Sequence, residues 1–207
     1  RIGPGPAKTI KPDLVHYGGN AGLYNDAVIP NGVNSFDIAG NVISRFGTSF
    51  STPRVTALAA ALMDKLNEEF SPLLIKALLL HSSKYPSELN MTIDDKLKQV
   101  GFGLPSKVEN IIYNDENEIT LILQDTLERG SYYHILDFPF PQSMVENGYY
   151  FGEISVTLVT APILDGNQGA EYCQSDVDVS FGTYDSKIER DITSRGIKNP
   201  IGPEGGK

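Results

Sequence analysis

The sequence predicts two parts of different class: an α/β segment with two or three helices, then an antiparallel β domain of the sandwich or jelly-roll kind. Three observations carry this reading. Apolar residues recur at three- and four-residue spacing between Val55 and Leu66. Beyond about residue 117 they alternate at a period of two instead. Charge shifts near the same place, from a net +2 over residues 1–108 to a net −11 over residues 109–207. The polar run Asn114-Asp115-Glu116-Asn117 marks the division. It gives a first part at 1–114, an acidic β-rich domain at 115–185 and a polar, Gly/Pro-rich tail at 186–207, expected to be loosely held.

Residues 1–48 are rich in Gly and Pro and read as loops joining short strands. A helix is expected from Thr52 to Phe70, with Val55, Leu58, Ala59, Leu62, Met63 and Leu66 forming one apolar stripe. Ser71-Pro72 opens a second helix, a capping residue followed by Pro at the first helical position. It continues through Leu73, Leu74, Ile75, Ala77, Leu78, Leu79 and Leu80, apolar nearly all round and therefore buried. A short third helix is expected over Pro105 to Tyr113. In the second part, Glu118 to Gln124, Phe151 to Thr160 and Asp176 to Phe181 read as half-buried strands.

Composition excludes several classes. With 40% hydrophobic and 21% charged residues, the chain can bury a core. No apolar run reaches the roughly 18–20 residues of a membrane span. A single cysteine, Cys173, excludes an internal disulfide and a Cys-rich zinc site. The net charge of −9 offers no basic field for nucleic acid. The opening Arg-Ile-Gly-Pro-Gly-Pro has neither Met nor a signal-like apolar region, so a piece of something longer is expected.

The sharpest motif is Gly47-Thr48-Ser49-Phe50-Ser51-Thr52-Pro53-Arg54-Val55, leading into the first long helix. It places a serine where unpaired first-turn amides and the helix dipole favour developing negative charge. A nucleophilic Ser49 there can use its own N–H as one oxyanion donor. Gly47 allows close backbone approach, and Pro53 is tolerated because first-turn amides lack helical partners. Local pattern alone reads Ser49 equally well as a capping serine. Ser51 and Thr52 are the better candidates for caps.

Gly-Thr-Ser-x-Ser-x-Pro before a small-residue helix resembles the nucleophile motif of the subtilisin-like serine peptidases, the subtilases. Lys11-Pro12-Asp13-Leu14-Val15 with Gly18-Gly19-Asn20 is similar to that family's Lys-Pro-Asp-Val-Val-Ala-Pro-Gly segment. Val100-Gly101-Phe102-Gly103-Leu104-Pro105 and the apolar run to Ile112 are similar to its Gly-Tyr-Gly turn and closing helix. The resemblance implies the C-terminal part of a parallel-sheet catalytic domain, with Ser49 as nucleophile, Gly47, Thr48 and Pro53 supporting it, and a polypeptide substrate. It implies no organic cofactor, and calcium only as many family members use it.

The family's Asp, His and oxyanion Asn precede the serine. Only 48 residues precede Ser49 here, and they match the segment after that Asn. The three partners are therefore expected outside this chain, in a missing N-terminal part of the same protein, and the chain alone is expected to be inactive. Losing the covering sheet is expected to leave an apolar helical face exposed, so that the piece self-associates, swaps elements or repacks. Two departures stand out: Arg54 where the family usually has His, and His16-Tyr17 in place of Ala-Pro.

Other candidates have blander readings. His16 with Asp13 and Asp26 lies in a stretch that matches a non-catalytic segment. His81 is expected to satisfy carbonyls at the end of the second helix. His134 reads as packed or on the surface. Asp94-Asp95 and Asp176/Asp178 form no complete calcium loop and read as solvated acidic surface. Cys173 has no neighbouring histidine to activate it. Tyr132, Tyr133, Phe138, Phe140, Tyr149, Tyr150 and Phe151 are expected to pack in a core or between domains. The rival to an endopeptidase is a non-catalytic partner- or substrate-binding module of a pseudopeptidase, with the acidic β domain as binder. The cysteine content suits cytoplasm and exterior alike.

Overall fold

The structure, a computed structural model, describes residues 2–5, 9–67, 71–114, 116–135, 139–146, 149–180, 182–183 and 199–200. It divides into two compact units, 1–161 and 162–207. The compositional division at 114/115 lies inside the first.

The first unit opens with two hairpins. β1 (Asn20–Tyr24) pairs antiparallel with β2 (Ala27–Asn31) across Asn25 and Asp26, both at positive φ. These residue types tolerate the left-handed conformation that a tight hairpin turn needs. β3 (Val33–Phe36) pairs with β4 (Val42–Arg45). Its loop is held by Asp37, whose carboxylate accepts the amides of Ala39 and Asn41, each at 2.8 Å. The expected parallel sheet is not found among the described residues, where every ladder is antiparallel. The connections explain it: parallel neighbours need a crossover of a dozen or more residues, whereas these strands follow one another through tight turns.

The helices carry the core. α1 spans Thr48–Lys65, starting about a turn before the expected Thr52 and stopping before Phe70. Its end is set by Asn67 at φ 53, a left-handed stop that Asn accepts. Residues 68–70 lie outside the described residues. α2 spans Pro72–His81, with the Ser71 hydroxyl accepting the Leu74 amide at 3.1 Å as the Ser-Pro signal predicts. α4 (Val108–Ile112) is the core of the expected 105–113 helix.

Leu62, Ile75, Leu78, Leu79, Val108 and Ile111 form one buried cluster where α1, α2 and α4 meet. Val55, Leu58, Ala59 and Leu66 pack against it, as the stripe predicts. Met63 does not and is 38% exposed, because a 3.6-residue period carries it off the buried face. The helices thus bury their stripes largely against one another. Exposed apolar side chains include Met63 and Leu73 on the helices and Leu23, Val28, Phe36 and Val42 on the hairpins.

α3 (Ile93–Val100) is a helix that hydrophobic periodicity missed. It has no buried residue. Its start is held locally: Thr92 accepts the Asp95 amide, its hydroxyl donates to the Asp95 carboxylate at 2.8 Å, and Asp94 and Asp95 face the positive end of the helix dipole. Farther along, the Lys98 carbonyl accepts the Gly3 N–H at 2.8 Å.

The three expected β segments form no strand ladders among the described residues. Leu121, Ile122 and Leu123 are each about half exposed, as are Val156, Leu158 and Val179. A strand needs a paired neighbour, and among the described residues these segments pair with no other strand. The aromatic set behaves likewise: Tyr132, Tyr133 and Phe151 are exposed, and Tyr132 stacks on His134 at 4.7 Å between ring centroids. Phe138, the Tyr149 and Tyr150 side chains, Phe181 and the 186–207 tail (save the backbone of 199–200) lie outside the described residues. Small ladders do join β5 (Val145–Glu146) to β6 (Tyr149–Tyr150).

In the second unit, Leu164 bridges Cys173 across a 3₁₀ segment, Gly166–Glu171, capped by Asp165. β7 (Gly182–Thr183) pairs with β8 (Asn199–Pro200).

Leu62 is wholly shielded from solvent. Leu62→Ala is expected to cost about 2–5 kcal/mol of unfolding free energy, from lost transfer energy plus a cavity. Urea unfolding of the full chain checks this, with Met63→Ala, at a half-exposed neighbour, expected to cost less.

Candidate active site

Ser49 is exposed on the first turn of α1. The turn is made by Gly47 at φ 142, ψ 168, a region in which any Cβ is strained. No side chain caps this end. Ser51 and Thr52, expected as caps, are helical residues here. The Ser51 hydroxyl donates to the Thr48 carbonyl at 3.2 Å, and the Thr52 carbonyl accepts the Thr56 hydroxyl at 3.1 Å. The correction follows from the earlier helix start, which puts both inside the ladder. The Thr48 and Ser49 amides consequently have no helical acceptor and sit at the positive end of an 18-residue helix. Pro53 falls inside the helix rather than in its opening turn, so the Ser49 carbonyl lacks its i+4 amide donor.

The three motif segments, far apart in sequence, are joined in series, with the 13–18 strip bonded to the turn before Ser49 at one end and to residues 102–103 at the other. The Gly47 N–H donates to the Gly18 carbonyl at 2.8 Å. The Val15 N–H donates to the Gly103 carbonyl at 3.0 Å, and the Phe102 N–H to the Asp13 carbonyl at 2.9 Å. Asp13 further ties this strip to α2 through an ion pair with Lys76 at 3.0 Å, and it also pairs with Lys11. Partial burial pushes the Asp13 carboxyl up, but hydrogen bonds and charge from Lys11 and Lys76 outweigh it, and its pKa is lowered.

No local triad is assembled among the described residues. The His16 Nδ1 accepts the Tyr17 N–H at 2.9 Å, so the neutral ring carries its proton on Nε2 and offers no free basic nitrogen. Burial, then the Arg54 charge, hold this imidazole below its ordinary pKa. The two departures from the family pattern, His16 and Arg54, therefore sense each other. Asp13 is committed to its lysines, and Asp26 sits at the exposed hairpin turn.

His81 is the last residue of α2, as expected, but other side chains serve the last-turn carbonyl. Its Nδ1 lies 3.0 Å from the Thr157 hydroxyl, while Ser82 and Ser83 hydroxyls both donate to the Leu79 carbonyl. Short hydroxyl side chains reach back to a last-turn carbonyl more directly than an imidazole can. Asp94 and Asp95 are the acidic first turn of α3, and Asp176 accepts the Val177 amide at 3.0 Å. Among the described residues no group of three His, Cys, Asp or Glu side chains could hold a metal ion. The exposed Cys173 thiol donates to the Ser175 carbonyl at 3.3 Å. Among the described residues no helix is long and apolar enough to cross a membrane.

Residues 1–106 match the sequence model of the subtilase family, the S8 peptidases. That is half of the chain, and the chain belongs to this family. It is also 29% identical over 180 residues to the uncharacterized protein y4bN of Sinorhizobium fredii (strain NBRC 101917 / NGR234). That alignment covers 78% of this chain and 40% of the relative, so the chain spans well under half of that protein's length. No solved structure matches it.

Sequence reasoning missed the Asp13–Lys76 pair and the capping box of α3. The Thr92-x-x-Asp95 spacing could have revealed the second; nothing local points to the first.

Two outcomes follow from this geometry. Gly47→Ala is expected to destabilise the chain by about 1–3 kcal/mol through backbone strain alone, since a Cβ there meets nothing within 4 Å. Urea midpoints measure it. Because the Asp13 pKa is depressed on folding, its contribution is complete above the ordinary carboxylate range and is lost as pH falls through the folded value. Asp13→Asn is expected to lower stability at neutral pH and to flatten its decline in acid, read from urea midpoints across that range.

Proposed function

We propose that the protein to which this chain belongs is a serine endopeptidase working by acyl transfer, with Ser49 as nucleophile. One observation carries the reading: an exposed serine stands on an uncapped helix N-terminus whose opening turn is bonded to the strip that carries the second family motif. In this reading the Ser49 Oγ attacks the scissile peptide carbonyl carbon while a histidine from outside residues 1–207 takes its proton. An aspartate, also from outside, orients that histidine. The Ser49 N–H and an outside Asn hold the oxyanion. The histidine returns the proton to the departing amine, and water then releases the acyl group to restore Ser49. The substrate is a polypeptide. Residues 115–185 form an acidic accessory region in the same reading.

The full-length protein tests it. A fluorophosphonate is expected to modify Ser49, located by peptide mapping, and Ser49→Ala is expected to abolish labelling and lower kcat by roughly 10⁴–10⁶-fold. Residues 1–207 alone are expected to remain unlabelled. A folded full-length protein that resists labelling would instead favour a pseudopeptidase whose acidic region binds a partner.

A further inference from the structure

We propose that Gly18 is a positioning residue for the nucleophile: its bare Cα and its carbonyl together fix the turn that presents Ser49. This inference rests on the assignment of Ser49 as nucleophile and adds a second residue, 31 positions upstream, to the device.

The Gly18 carbonyl accepts the Gly47 N–H at 2.8 Å, and the Gly47 carbonyl accepts the Phe50 N–H at 3.0 Å. The peptide that opens α1 is thus held from both sides, with Ser49 between the two bonds. A Cβ at Gly18 would stand 2.6 Å from the Gly47 carbonyl oxygen and 3.3 Å from the Ser51 Cβ. The first separation is one that real side chains do not occupy, and its partner is backbone, which has no rotamer to yield.

The strip that carries Gly18 has no room to retreat. A Cβ on the adjoining Gly19 would lie 2.6 Å from the Gly32 Cα and 3.0 Å from the Phe46 Cβ, so the hairpins press on its other flank. Upstream, Val15 and Asp13 are bonded to Gly103 and Phe102. A methyl group at position 18 must therefore displace the Gly47 carbonyl, and with it the first turn of α1. Gly18 itself has no positive φ, so alanine there meets a steric obstacle and no backbone strain. A shift of about 1 Å in a reacting group can cost on the order of 100-fold in rate.

The test uses the full-length protein and compares the rate constant for fluorophosphonate labelling of Ser49 with the final fraction labelled. Gly18→Ala is expected to slow labelling roughly 10- to 100-fold per site while full stoichiometry is retained. Gly22→Ala is the control: a Cβ there meets only the Ile29 carbonyl oxygen at 3.9 Å, and wild-type labelling is expected. Wild-type kinetics in Gly18→Ala, or a smaller labelled fraction at an unchanged rate constant, would overturn the positioning role and leave the peptidase reading intact. If even the wild type is not labelled, the nucleophile assignment falls and the positioning role with it. Should Gly18→Ala fail to fold, amide exchange in the wild type decides. The Gly47 amide is expected to be protected well beyond the Thr48 amide, and equal, unprotected exchange of the two refutes the clamp.

Discussion

Three helices meet on Leu62, and the described helices depend on that meeting. Among the described residues Leu62 is the side chain with no solvent exposure, and Ile75, Leu78, Leu79, Val108 and Ile111 close around it. Burying one such side chain is worth about 1.5–3 kcal/mol, so a cluster of this size is the main favourable term available to the helices. Leu14 packs on the same cluster from the loop strip. The ion pair of Asp13 with Lys76 adds a directional tie where the apolar contact gives none.

The core and the site are two ends of one rod. Ser49 and Leu62 are both on α1, and at 1.5 Å per residue they are roughly 20 Å apart along its axis. One end is fixed by packing. The other is fixed by the backbone bond from Gly47 to Gly18, which costs no side chain and leaves the first-turn amides open. A side-chain cap would have consumed one of those donors. The absence of a cap, a local loss of stability, is therefore what keeps the helix end able to receive an anion or oxyanion.

Legibility followed the range of the physics. α2 was readable because Ser71-Pro72 and the leucine run are local signals, and the structure places its start where they do. The body of α1 was readable from its stripe, but its start was not, since the Gly47 N–H that precedes it is bonded to the Gly18 carbonyl, a partner distant in sequence. α3 escaped because none of its residues is fully buried and its start is set by a capping box. The expected strands at 118–124, 151–160 and 176–181 show the opposite failure. Their alternation is genuine in the sequence, but it encodes a half-buried face only if another surface covers it, and Leu121, Leu123 and Val156 remain exposed.

The sequence by itself determined the family, through three short motifs in the right order, and it singled out Ser49 as the candidate nucleophile. It determined the apolar stripe and the Ser-Pro start of α2, because capping and periodicity act over one or two turns of chain. Only the tertiary structure decided that Asp13 serves Lys11 and Lys76 rather than His16, that the His16 Nδ1 is occupied by its neighbour's amide, and that the Gly18 carbonyl anchors the turn before Ser49. Each of these joins groups through space. Ion pairing, tautomer and steric exclusion are set by which atoms lie within a few ångströms, and residue order alone does not specify that.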